Sequence, residues 1–142
     1  MGLAYPSSSF ELPRIADLSS KSERERLSRS ALRGFFRMIE RWKIRDEDAR
    51  ELLGGLSSSA YYDWKKNPDR VLDVDRIMRI SYLTGIYKAL HILYGEKLAD
   101  QWVKLPNTNT IFGGGTPLAY MIGGGLVAMQ TVRKLLDARR GG

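Results

Sequence analysis

Six of the fourteen glycines and two of the five prolines of this 142-residue chain lie within residues 105–125, LPNTNTIFGGGTPLAYMIGGG. That crowding constrains the fold more than any other feature, because glycine readily takes positive φ and proline cannot donate to a helix or a strand ladder. The segment has one internal start signal, Thr116-Pro117. A threonine hydroxyl can cap free backbone N–H groups, and proline at the first helical position gives up only an N–H that would be orphaned there. A short helix is therefore expected from Pro117, framed by glycine turns at 113–115 and 123–125. Its side chains Leu118, Met121 and Ile122, with Phe112 before them, need apolar surface from the rest of the chain or from a partner.

Everything upstream reads as helix or connection. Residues 1–20 carry Pro6, Pro13 and a Ser7-Ser8-Ser9 run among scattered apolar residues, which is the pattern of a flexible arm. From about Ser22, Leu27, Ala31, Leu32, Phe35, Phe36, Ile39 and Trp42 recur at helical spacing and form one apolar stripe. The opposite face is rich in arginine, at positions 24, 26, 29, 33, 37 and 41. Asp73 is placed to cap a long helix that Gly95 ends near Tyr94, and that helix has two apolar faces, so one must meet a second copy or the C-terminal part. A short helix over 96–103 halts before Pro106, and a last one over 126–139 turns Met129, Val132, Leu135 and Leu136 inward.

Residues 46–66 form a compact unit: a short helix, a Gly54-Gly55 break, and a second helix that Leu56-Ser57 opens and Asn67-Pro68 stops. Two short helices around such a turn are what a helix-turn-helix requires, with small polar residues at the start of the second helix where it enters a major groove. Ser57, Ser58 and Ser59 allow close approach to phosphates or base edges, and Tyr62, Lys65 and Lys66 extend the contact along the backbone. Ser57 is equally fitted to cap the helix. Tyr61 and Trp64 fall on the inner face, where their polar atoms need partners.

The totals narrow the chemistry. Lys+Arg number 23 against 16 Asp+Glu, a formal charge of +7 that favours an anionic partner. Residues 101–142 alone hold five basic residues and one acid, Asp137. With no cysteine and a single histidine, His91, thiolate and multi-histidine metal sites are excluded and no catalytic base stands beside a nucleophile. No strand precedes Gly113–Gly115, and the run lacks the Lys-Ser/Thr ending of a phosphate loop. The expectation is a cytoplasmic, all-α protein that is not an enzyme, needs no cofactor or metal and spans no membrane.

The sequence resembles the Xre/MbcA/ParS antitoxins from about Ser28 onward, in the pairing of an Xre-like helix-turn-helix with Trp102, Leu105-Pro106-Asn107, Phe112-Gly113-Gly114, Thr116-Pro117-Leu118, Met121 and Gly124-Gly125. Glu51 stands where many such turns carry alanine, and the extra Gly54 loosens the turn. The resemblance implies a homodimeric antitoxin that neutralises a cognate RES-domain toxin, one that consumes or transfers from NAD, and that represses its own operon by binding operator DNA. With the flexible arm at 1–20 left outside it, the resemblance implies a DNA-binding and dimerisation domain at 21–95 and a toxin-binding domain at 96–142. Phe112, Gly114, Thr116, Pro117, Met121, Gly124 and Gly125 would contact the toxin, and the basic end, Arg133, Arg139 and Arg140, would reach toward its NAD pocket. A stand-alone helix-turn-helix transcription regulator is the alternative.

Overall fold

The computed structural model describes residues 17–141; most of the expected N-terminal arm, residues 1–16, lies outside them. Helix α1 spans Lys21–Trp42, with the Ser20 hydroxyl accepting from the Glu23 N–H at 3.4 Å. It ends in a left-handed Lys43 at φ 54°, and Ile44 N–H reaches back to the Ile39 carbonyl at 3.1 Å, the six-to-one bond of a Schellman ending. Leu32, Phe35, Ile39 and Trp42 are buried, as the stripe requires, and Met38 is buried beside them.

Helices α2 (Asp46–Leu52) and α3 (Ser58–Lys66) follow. The three acids opening α2, Asp46, Glu47 and Asp48, complement the positive end of its dipole. Ser57 caps α3 through Ala60 N–H at 3.2 Å. The chain then returns to α1 at Ser28, which is fully buried: its hydroxyl donates to the Arg24 carbonyl and accepts from Leu72 N–H at 2.9 Å.

Helix α4 (Val74–Gln101) is the spine of the molecule, with α1 along one side and α5 along another. Asp73 takes the position before its first residue but makes no capping bond, pairing instead with Arg76 at 3.4 Å. As expected, Gly95 breaks the helix, at φ 75°, ψ 176°, backbone that only glycine takes readily. The continuation runs to Gln101 and tightens into a 3₁₀ turn, Trp102–Lys104; a second 3₁₀ turn, Thr110–Phe112, precedes the glycines.

Helix α5 covers Pro117–Gly141. Thr116 caps it as expected, its Oγ1 accepting from Ala119 N–H at 3.1 Å. The glycine frame is only half as expected. Gly113 and Gly114 have positive φ, 58° and 84°, but Gly123 and Gly124 stay helical and Gly125 alone breaks the helix, at φ 63°, ψ −143°. One such dihedral is enough to redirect a helix, so the flanking glycines need no turn of their own.

One core joins these elements. Ile77, Ile80, Leu83, Ile86, Ala89 and Leu90 of α4 and Met129, Val132 and Leu136 of α5 belong to the same buried cluster as Leu32 and Phe35 of α1. The second apolar face of α4 is thus covered by the C-terminal part of the chain. Beyond Gly125, α5 runs parallel to α4: Arg79 lies by Gly125, Arg133 by Gly85, and Arg139 by Tyr94. No described helix is long and apolar enough to cross a membrane.

Candidate functional site

Two surfaces carry the residues singled out by sequence. The first is the α2–α3 unit. Leu52, Leu53, Leu56 and Tyr61 are buried beneath it, while Ser57, Ser58, Ser59, Lys65 and Lys66 are exposed along one side of α3. The turn is pinned by Arg50: its carbonyl accepts from Gly55 and Leu56 N–H at 3.0 and 3.1 Å, and its Nε donates to the Leu56 carbonyl at 2.8 Å. Gly54 and Gly55 take φ of 89° and 84°, the left-handed backbone that permits this closure.

Tyr62 is half exposed, but its hydroxyl is already engaged. Asp46, at the start of α2, accepts from Tyr62 at 2.5 Å through one oxygen and from Tyr61 at 3.2 Å through the other. Tyr62 holds the Asp46 carboxyl below its ordinary range, with Tyr61 and the nearby Lys65 acting the same way. Burial, then the Asp46 charge, pushes the Tyr61 hydroxyl up. Sequence reasoning foresaw that Tyr61 needed a partner and missed Asp46, which lies fifteen residues away with no periodic relation to it. Trp64 is half buried, with the guanidiniums of Arg70 and Arg76 at 5.4 and 5.5 Å from its ring centre.

The second surface is the C-terminal unit. Phe112, Pro117 and Met121 do not line it. They are buried, Met121 at 1% exposure, and Phe112 sits edge-on between Trp102 and Tyr120 at 6.1 and 5.3 Å. The chain itself supplies the apolar surface these side chains need, so in this structure they support the unit from within. Gly114 and Gly124 are exposed, Gly125 and Thr116 partly so.

The three basic residues are anchored along α5. Arg133 lays its guanidinium where a side chain on Gly85 would be, and its Nε donates to Asp137 at 2.9 Å. Arg139 donates to the Tyr94 hydroxyl at 2.8 Å, and Arg140 lies 3.8 Å from Asp137. Arg139, Arg140 and Gly141 are exposed at the tip.

Between the two surfaces stands Arg79, which sequence reasoning also missed. It donates to Asp75 at 2.8 Å with only 16% of its side chain exposed. Its Nε is 3.2 Å from where a Cβ on Gly54 would fall, and Nη2 is 3.7 Å from the same point on Gly125. Helices α2 and α5 therefore meet across Arg79. The contact at Gly54 is tight enough to depend on glycine lacking a side chain, whereas that at Gly125 is of ordinary length, and neither is visible until the fold is known. Among the described residues no group of three or more His, Asp or Glu side chains could hold a metal ion.

The capped and broken C-terminal helix, with the part of the spine that follows Gly95, lies in the stretch of the chain that matches a known toxin-binding domain. Residues 89–142 match the model of the antitoxin Xre/MbcA/ParS C-terminal toxin-binding domain, so the chain carries a domain of this antitoxin type. It is similar to the uncharacterized protein y4oB of Sinorhizobium fredii (strain NBRC 101917 / NGR234), with 39% identity over 112 residues covering 78% of this chain and 84% of that one. No solved structure matches it. The family supports a toxin as partner and a regulatory, non-enzymatic role.

Proposed function

We propose that the chain is the antitoxin of a RES-domain toxin, acts in the cytoplasm, and neutralises that toxin by placing the tip of α5 in its active site. The match of residues 89–142 to a toxin-binding domain carries the proposal. The exposed, basic end of α5 supports the finer part, since Arg139 and Arg140 are suited to a pocket that binds an anionic dinucleotide. Gly114, Gly124 and Gly125 would allow close backbone approach, whereas Phe112, Pro117 and Met121 would act by holding the unit in shape. Thr116 would fix where α5 begins.

In the same proposal the chain is a homodimer with a DNA-binding domain over 21–95 and a toxin-binding domain over 96–142. It represses its own operon through Ser57, Ser58, Ser59, Tyr62, Lys65 and Lys66 on operator DNA. Deleting residues 137–142 removes Arg139 and Arg140 but spares the fully buried Leu136. The deletion variant is expected to keep its helical content and thermal unfolding while failing to restore growth to cells expressing the toxin. Full neutralisation by the shortened chain would show that the tip is not the blocking element.

A further inference from the structure

Arg26, Arg29, Arg33 and Arg37 line a shallow groove along α1 together with Ser22, Ser30 and one acid, Glu25, so the lining carries a formal excess of positive charge. At 100° per residue the four arginines fall within about 80° of one another around the helix axis, and from Arg26 to Arg37 the axis rises about 17 Å, or about five base-pair steps of duplex DNA.

This charge is only partly neutralised. Arg26 pairs with Glu23 at 2.9 Å, Arg29 and Arg33 share the single carboxylate of Asp69 at 3.4 and 2.9 Å, and Arg37 has no ion-pair partner among the described residues. Asp69 lies three residues beyond Lys66, so the arginine face adjoins the basic end of α3.

The face also lacks what a protein partner would use. None of the large apolar side chains exposed on the surface belongs to α1, and a stable protein interface is organised around apolar or aromatic anchors. A sugar-phosphate backbone needs no such anchor, only regularly spaced cations and small hydroxyls.

We propose that the arginine face of α1 is a second DNA contact, tracking the phosphates beside the groove that α3 enters. Asp69 acts as a brake on it by holding two of the four guanidiniums. The position beside the groove rests on the proposed DNA-reading role of α3; the phosphate contact itself does not.

The experiment titrates the full chain against a fluorescent mixed-sequence 30-base-pair duplex at several salt concentrations, for the wild type, Arg26→Gln/Arg37→Gln, Asp69→Asn and Lys65→Ala/Lys66→Ala. Glutamine keeps the helix, which circular dichroism verifies. The arginine variant is expected to bind several-fold to tenfold more weakly, with the salt slope reduced by about 0.9 for each lost phosphate contact. Asp69→Asn is expected to bind more tightly with a steeper slope. Unchanged affinity and slope in both variants would overturn the proposal, as would loss of toxin co-purification by the arginine variant with duplex binding intact. The lysine variant separates the two readings. If it alone weakens binding, α3 reads DNA and α1 does not; if only the arginine variant does, α1 holds phosphates and the α3 assignment fails.

Discussion

Asp46 shows how one carboxylate can organise a functional element. It opens α2, yet its two oxygens serve both tyrosines of α3, so the helix expected to enter a groove is oriented by the helix before it. Replacing the buried Tyr61 with phenylalanine removes one of these bonds and is expected to cost about 0.5–1.5 kcal/mol in chemical denaturation. The pH dependence follows from the carboxyl being held below its ordinary value. Its contribution is present above about pH 4, the ordinary aspartate range, and is lost as pH falls through the depressed value. The difference in Tm between the wild type and Asp46→Ala should therefore narrow on acidification, whereas a constant difference would mean that packing alone is at stake. The glycines of the turn differ from each other in a testable way. Both Gly54 and Gly55 have positive φ, so alanine at either should cost about 1–2 kcal/mol. A Cβ on Gly54 would also press on Arg79 and Asp75, while one on Gly55 meets nothing within 4 Å. Gly54→Ala should consequently be the more destabilising; equal losses would show that Arg79 moves aside freely.

The helices were legible wherever their signals are local. The apolar period of α1, the serine cap of α3, the break at Gly95 and the Thr116-Pro117 start of α5 all follow from residues within a turn or two of the feature. What could not be read was decided by contact across the fold. Gly123–Gly125 looked like one turn because glycine permits a break without specifying it; two of the three stay helical and the third carries the bend. Phe112 and Met121 pack the small domain as their apolar character requires, while their place in the toxin-binding motif, like that of Pro117, records importance and not exposure. Gly125→Ala tests the bend: its φ and ψ belong to glycine, so the variant should lose about 1–3 kcal/mol and bind the toxin more weakly. The nearest side chain to the added Cβ, Arg79, is at an ordinary 3.7 Å, so the loss would come from the backbone. Wild-type stability and affinity in this variant would mean that α5 needs no bend there.

The continuous core gives the whole molecule a property that the proposed division at residues 95 and 96 does not anticipate. Met129, Val132 and Leu136 are fully buried, each worth about 1.5–3 kcal/mol by burial against a total of about 5–15 kcal/mol for a typical domain. A fragment ending at residue 95 would uncover the side of α4 on which α5 packs. It is expected to bind a hydrophobic dye and to melt without a sharp transition, and a cooperative melt would show that the N-terminal part folds alone. The same packing places α5 where it touches both α4 and, across Arg79, the turn before α3, so that the proposed toxin and DNA surfaces would share one body. The antitoxin role is the claim on which the rest depends. Its most direct measurement is co-purification from cells co-expressing the tagged chain with the product of the adjacent reading frame, scored together with growth. A stable complex and restored growth are the expected result; a toxic partner that neither co-purifies with the chain nor is silenced by it would contradict the account.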